Sequence, residues 1–556
     1  MQSIVNQMQP GWNMGDTLDA KGSETSWNNP KITNEQIQAI ADCGFRSIRI
    51  PITWWHRIGG APEYLVRREF VERVRQVVDW SIAAGLYVVI DLHHDADWVS
   101  HMAGNRGDVV RRFTALWQQI ATAFKNYNQR LLFECLNEPR FSDNWQKDMP
   151  IHFQMLEELN STFVKTVRNV GGENLSRPLI LASLVQGCTQ PRMDALYNCI
   201  TKIGDARLLA GVHYYGAYPF SVNVGGFTKL DEKTLEHMES FIERAEATFI
   251  KRGVPLVVTE FGLLGFDWGI SSIQRGEMLK YFERLTYEAY WRNITMMFWD
   301  SGIHFDRNLM QWRDQLMFET LKHGLTGGRS SNAEVDYVFL RKRQVIADIS
   351  IPLYLHSNTL EEVTLYETAP HRNKQKTSTA LHKDGSVRLA KNRVLVNGGE
   401  YALSENTLTL KAFFLLSLPS YPLGEVALLR CRFSDGPDWE IRIYQCKKPD
   451  LKPSVGTENE LVIPTEFNGD VLETMEAFLI KDGEPAGNAP PETWTAFKQY
   501  NMGFIPSPEE SRITITHEVL GDAPEMLLRF YFLSGQQVEY ILTQEVGRVV
   551  VGKALD

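Results

Sequence analysis

Through about residue 325 the chain alternates short apolar runs with longer amphipathic ones. The apolar runs are PGWNMG (10–15), FRSIRIPI (45–52), LYVVIDLHH (86–94), LLFECLNEP (131–139), PLILASLVQG (178–187), LLAGVHYY (208–215), PLVVTEFG (255–262) and TMMFWDSG (295–302). Each has the length of a strand. Between most of them lie stretches such as YLVRREFVERVRQVVDWSIAAG (64–85), where apolar residues recur every three to four positions, the period of a helix with one buried face. Glycine closes some of these helices, as at Gly44 and Gly85. Eight strands alternating with helices predict a closed parallel (β/α)8 barrel, which needs about 250 residues. The competing open sheet would carry a Gly-rich phosphate loop after its first strand, and none follows here.

After Thr326-Gly327-Gly328 the texture changes. VDYVFLRK (335–342), VIADISIPLYLH (345–356), EVTLYE (362–367), SVRLAKNRVLVN (386–397), NTLTLKAFFLLSL (406–418), EVALLRCRF (425–433) and EIRIYQC (440–446) read as seven strands. That count and spacing suit an immunoglobulin-like sandwich. A short polar stretch with prolines, CKKPDLKPSV (446–455), leads into a third region. RITITHEVL, EMLLRFYFL, QVEYILTQEV and RVVVG read there as strands of a second sandwich, interrupted by the loop GEPAGNAPPETWTAFKQYNMGF (483–504). The expected division is 1–326, 327–446 and 447–556.

Composition narrows the function. A chain of 556 residues with 43% hydrophobic and 23% charged residues is globular and too long for one core. A net charge of −10 argues against a nucleic-acid partner, which wants a basic face. No run of about 20 apolar residues provides a membrane span. Fourteen Trp residues make binding of flat sugar rings worth testing. MQSIVNQMQPGWNMG lacks the basic and apolar regions of a signal peptide, so secretion would require a leader already removed, and a cytoplasmic place stays open. Six Cys make no disulfide framework; Cys431 and Cys446, on neighbouring strands, are expected as free thiols.

The ends of the eight strands are rich in chemistry, and barrel enzymes place their sites there. Strand two ends with Arg49, strand three with His93 and His94, and strand four with Asn137 and Glu138. Strand six ends with His213 and Tyr215, strand seven with Glu260, and strand eight with Trp299. One strand-end His or Trp is more often packing than function. Six such ends are harder to dismiss, because converging ionisable groups repel or desolvate one another. Glu138 and Glu260, across the barrel mouth, suit glycosidic cleavage: one carboxyl donates a proton to the leaving oxygen, the other meets the anomeric carbon. The run His93-His94-Asp95 has no HExxH or matching carboxylate spacing, so neither metal nor cofactor is expected.

The pair LNEPR (136–140) and VVTEFG (257–262) resembles glycoside hydrolase family 5 over roughly the first 325 residues. GWNMGDTLDA (11–20) and ETSWNNP (24–30) look like its subfamily 4, which includes endo-β-1,4-glucanases and xyloglucanases; Asp16 stands where that family usually has Asn. The resemblance implies Glu138 as acid/base and Glu260 as nucleophile of a retaining enzyme. Arg49, His93, Asn137, His213, Tyr215 and Trp299 match its remaining site positions. The middle region resembles immunoglobulin-like modules, and the last resembles carbohydrate-binding module family 46, through TWTAFKQYNMGF (493–504). The expected substrate is a β-1,4-glucan polymer or oligosaccharide, cut by a monomer. A β-mannanase and a non-catalytic glucan-binding protein are the alternatives. Trp27, Trp145 and Trp494, all on loops, are candidate stacking faces for sugars outside the reacting centre; packing of their own loops is the competing explanation.

Overall fold

The computed structural model describes residues 1–368, 389–488, 490–521, 525–545 and 549–555. Eight parallel strands close into a barrel in chain order: β1 Gly11–Asn13, β2 Ser47–Ile50, β3 Tyr87–Ile90, β4 Leu131–Glu134, β5 Leu179–Ala182, β6 Leu208–Tyr214, β7 Leu256–Phe261 and β8 Thr295–Phe298. β1 closes on β8 with Gly11 opposite Met297 and Trp12 opposite Phe298. A Cβ on Gly11 would come within 2.7 Å of the Met297 side chain, so glycine permits the closure.

The helices form where the periodicity predicts them. Arg68–Ala83 buries Phe70, Val74, Val77, Val78 and Ser81, one stripe on the barrel wall. Thr33 and Gln36 make a reciprocal capping box at the start of Asn34–Asp42. The bottom of the barrel is plugged by the short helix Gln2–Gln7: Val5 and Met8 pack with Val89, Leu132, Ile180, Val257 and Met297. With the lower layer apolar, polar side chains can occupy the upper one.

Beyond the barrel, a four-stranded sheet (Asn332–Ala333, Ile349–Tyr354, Thr407–Leu410, Tyr401–Ser404) faces a five-stranded one. The latter contains Tyr337–Arg341, Trp439–Cys446, Gly424–Phe433, Leu360–Thr368 and Leu389–Val394. Two details differ from the expectation. The segment 406–418 is not one strand: after Leu410 the chain turns into the helix Ala412–Ser417, which buries Phe414 and Leu415 while Phe413 and Leu416 face solvent. Its apolar positions fit a helical face, not strand alternation. Tyr401–Ser404 adds a strand that its short polar sequence concealed. Residues 386–388 of the run SVRLAKNRVLVN lie outside the described residues. The cysteines, Cys431 and Cys446 included, are free thiols.

The barrel and the middle sandwich share one continuous core, from Trp12 through Ala333 and Val338 to Ile443, whereas Leu461, Ile513, Phe530 and Tyr540 belong to a separate core. The Pro-bearing stretch after Cys446 is no free tether, because Asp450–Leu451 and Ser454–Thr457 are already strands of the last two sheets. Arg341 donates to the Ser534 carbonyl across the same junction.

Arg177, just before β5, is fully buried with no carboxylate among the described residues in bonding range; its guanidinium donates to the carbonyls of Leu131 (2.6 Å), Phe124 (2.8 Å) and Tyr127 (2.9 Å). Burial draws its pKa down to about 10. Arg177→Ala strands these acceptors and should cost the barrel about 3 kcal/mol or more, seen as a lower melting temperature. Because Arg177 lies at the end opposite the strand-end acids, kcat at low temperature should be unchanged.

Candidate active site

Arg49, on β2, is the centre of the upper layer. It is wholly buried and uses its five N–H groups. Nε donates to Glu134 (2.5 Å), Nη1 to Glu260 (2.6 Å) and Asn13 (3.1 Å), Nη2 to Asn137 (2.7 Å) and Asp91 (2.8 Å). Burial pulls the guanidinium pKa down; Glu134, Asp91 and Glu260 outweigh it and raise it above the ordinary value. Asn13 is tied in turn to the carbonyls of Thr259, Met297 and Phe298, so the arginine is anchored to strands on both sides.

Glu138 and Glu260 meet above Arg49. Ligand-capable atoms of Glu138, His213 and Glu260 lie within 4.8 Å of one another, which places one oxygen of each carboxylate inside that distance. Glu138 has φ 43°, a left-handed backbone that a non-glycine residue adopts at a cost of about 1 kcal/mol or more. Its amide donates to Gln186 Oε1 (2.7 Å), and the Gln186 amide group donates to Glu134 (2.6 Å), which ties this turn to the arginine network. Register shifts interrupt β6 at Val212/His213 and β7 between Val258 and Phe261. Such irregularities re-aim side chains, here those of His213 and Glu260.

The two carboxyls differ in their donors. Glu260 receives Arg49 Nη1 and the Tyr215 hydroxyl (2.7 Å). Among the described residues Glu138 has only the His213 ring, whose Nδ1 stands 3.0 Å from its oxygen and 3.5 Å from Glu260 Oε2. Burial lowers the pKa of His213, against the pull of Glu260. Burial pushes the Glu138 carboxyl up to about 7, against the pull of Arg49 and Arg140. Burial also raises Glu260, although His213, Arg49 and the Tyr215 hydrogen bond pull it down. The arginine counteracts the burial of Glu260 without cancelling it.

Trp299 lies parallel to His93, with rings 5.8 Å apart and an interplanar angle of 2°. A Cβ on Gly15 would stand 2.8 Å from the Trp299 ring, so only glycine lets the chain after β1 pass this ring. His93 Nδ1 is held by Asp91 (2.8 Å), and His94 stands edge-on to Trp27 at 5.3 Å. The structure thus brings together Arg49, His93, Asn137, Glu138, His213, Tyr215, Glu260 and Trp299. Trp27 flanks this group through His94. Trp145 is on a loop after β4, 43% exposed, with Arg140 over its ring at 4.8 Å. Trp494 is 59% exposed on the C-terminal unit. Asp19, His93 and His94 also bring ligand-capable atoms within 4.8 Å, but Asp19 already accepts the amides of Thr17 (2.6 Å) and Asp16 (3.0 Å).

Sequence reasoning missed Asp91, Glu134, Gln186 and Asn13, which support the site from beneath. A signal existed. Asp91 and Glu134 are acids embedded in apolar runs, VVID and LLFE, where an unpaired charge would be costly.

Residues 13–304 match the cellulase family, glycosyl hydrolase family 5, and residues 447–553 match a carbohydrate binding domain, CBM46. Endoglucanase B of Paenibacillus lautus is 40% identical over 560 residues, covering 100% of this chain and 94% of that protein. The full-length tri-modular endo-β-1,4-glucanase B of Bacillus halodurans superposes with a TM-score of 0.92 at 40% identity, covering 100% of this chain and 99% of that one. A tri-modular family 5, subfamily 4 endo-β-1,4-glucanase of Bacillus licheniformis, complexed with cellotetraose, reaches a TM-score of 0.81 at 26% identity, covering 99% and 98%. With this family's match spanning the barrel and its paired acids, the chain belongs to glycosyl hydrolase family 5 and is a glycoside hydrolase of the endoglucanase kind.

Proposed function

We propose that this hydrolase cleaves β-1,4-glucan chains, xyloglucan among them, with retention of configuration through Glu260 as nucleophile and Glu138 as acid/base. One observation carries the reading: a part-buried and a buried carboxyl in close approach with unlike environments. A separation near 5 Å suits direct attack, whereas inversion needs room for a water between them. A Glu260 oxygen attacks the anomeric carbon while the Glu138 proton passes to the leaving glycosidic oxygen and the C–O bond breaks. Water then attacks the glycosyl-enzyme; Glu138 takes its proton and Glu260 leaves. Asn137, whose oxygen is committed to Arg49, presents its amide group to the sugar's 2-hydroxyl. Trp299 lies beneath the ring.

The division at 326 and 446 is part of the proposal, as is secretion, which a polymeric substrate requires. Trp27 and Trp145 would stack on sugars remote from the reacting bond. The loop with Trp494 meets the barrel: Phe497 packs on Gly226, near Tyr218, a half-exposed ring after β6 whose pKa is raised by burial and, to a lesser degree, by Glu492. Trp494 would thus extend the cleft toward branched substrate.

Glu260→Ala should lower turnover by roughly four orders of magnitude or more on every substrate. Glu138→Ala should do so on polymers yet spare glycosyl-enzyme formation from aryl glycosides with very good leaving groups, visible as a burst. Equal losses on such aryl glycosides would reverse or remove the assignment.

The rate should be bell-shaped in pH. Glu138 must start protonated, so activity falls as pH rises through about 7. Glu260 must start ionised, and its pKa is raised, so activity falls on acidification at a pH above the ordinary carboxylate value. Tyr215→Phe removes a hydrogen bond that favours the ionised form and should shift the acid limb upward in pH-dependent kcat/KM.

Trp494→Ala should reduce kcat/KM on xyloglucan about tenfold, in line with the loss of one stacked ring, and change linear mixed-linkage glucan less. Parallel reducing-sugar assays on both polymers and on mannan test this; equal rates of wild type and variant would make the module a remote anchor.

A further inference from the structure

The loops that follow β6 (Leu208–Tyr214) and β7 (Leu256–Phe261) begin within a residue or two of Tyr215 and Glu260. They are tied to each other: the Leu264 amide donates to Ser221 Oγ (2.8 Å), and Asn223 Nδ2 donates to the Ser272 carbonyl (3.0 Å). A Cβ on Gly265 would sit 2.6 Å from Ser272 Oγ and 3.0 Å from the Ser221 carbonyl, so the two loops touch without slack. At their start, a Cβ on Gly262 would sit 3.4 Å from the Tyr215 ring.

The C-terminal unit grips both loops. The Tyr500 amide donates to the Asn223 carbonyl (3.1 Å), and Asn223 Nδ2 reaches the Glu473 carbonyl (3.3 Å). Thr228 Oγ1 donates to Glu473 Oε1 (2.6 Å), and Asn501 Nδ2 to the Trp268 carbonyl (3.2 Å). A Cβ on Gly226 would fall 2.9 Å from the Phe497 ring. Asn223 is the meeting point. It is 5% exposed, has φ 51°, and serves loop, loop and C-terminal unit at once. Its Nδ2 makes both donated bonds, while its Oδ1 is buried with no hydrogen-bond partner among the described residues.

We infer that Asn223 is a positioning residue through which the C-terminal unit sets the β6 and β7 loops, and with them the Tyr215–Glu260 hydrogen bond. The inference rests on Glu260 being the nucleophile. Its consequence is that the unit affects turnover of substrates too short to touch it. A module that only binds sugar would act on polymers alone.

The test uses full-length Asn223→Asp, which keeps the volume but loses both donated bonds, and Asn501→Ala on the module side. The substrate is an activated aryl β-cellobioside. Asn223→Asp should lower kcat about three- to tenfold with little change in KM. The acid limb of kcat/KM should move to higher pH, as it would in Tyr215→Phe, and amide exchange in 216–228 and 262–272 should accelerate. Asn501→Ala should act in the same direction, and the two effects should combine to less than their product, as expected of one shared path. If Asn223→Asp does not fold, Asn501→Ala and Thr228→Val carry the same measurements. An unchanged kcat and acid limb on the aryl cellobioside would overturn the inference, even with faster exchange or a loss on polymers. Failure of the nucleophile assignment would appear separately, as residual turnover in Glu260→Ala.

Discussion

A single buried guanidinium organises this molecule. Arg49 stands among three carboxylates in a layer closed to water, where leaving any one of those charges unpaired would cost several kcal/mol. The five donors of the arginine meet five acceptors from β1, β3, β4, β7 and the turn after β4. Each strand end is thereby held relative to the others by a group that tolerates little displacement. The acid pair above inherits that order. A nucleophile fixed by two donors and an acid beside one imidazole ring are the outcome of where the arginine's reach stops.

Much of this was legible in the sequence. The alternation of apolar runs and helical stripes specified the barrel, because parallel strands buried on both faces read as continuous hydrophobic segments. The polar residues at those run ends specified the rim. What escaped were groups whose partners are distant in sequence: Asp91 and Glu134 look like interruptions of a strand until Arg49 is placed between them. Gln186 escaped for another reason, since its role depends on a left-handed turn, φ 47°, that no simple pattern announces.

The outer units show the same limit. Strand alternation was clear in EVALLRCRF and EIRIYQC, where one face is buried. It failed for KAFFLLS, where a short apolar run served as a helix, and at YALS, a strand of four residues with one buried side chain. The interface between the C-terminal unit and the barrel was illegible, because it is made of backbone carbonyls, a glycine and a few amides. None of these stands out by composition.

The continuity of the core between barrel and middle sandwich bears on how such a protein can change over time. Side chains from both contribute to one apolar body, so neither surface was shaped to face water alone. A gene rearrangement that exchanged the sandwich would expose the apolar face where the two meet and call for several simultaneous substitutions. The last unit, with its own core and a polar seam, faces no such barrier. Ancestral shuffling would therefore have moved the first two units as one inheritance, and left the third free to be gained, lost or replaced.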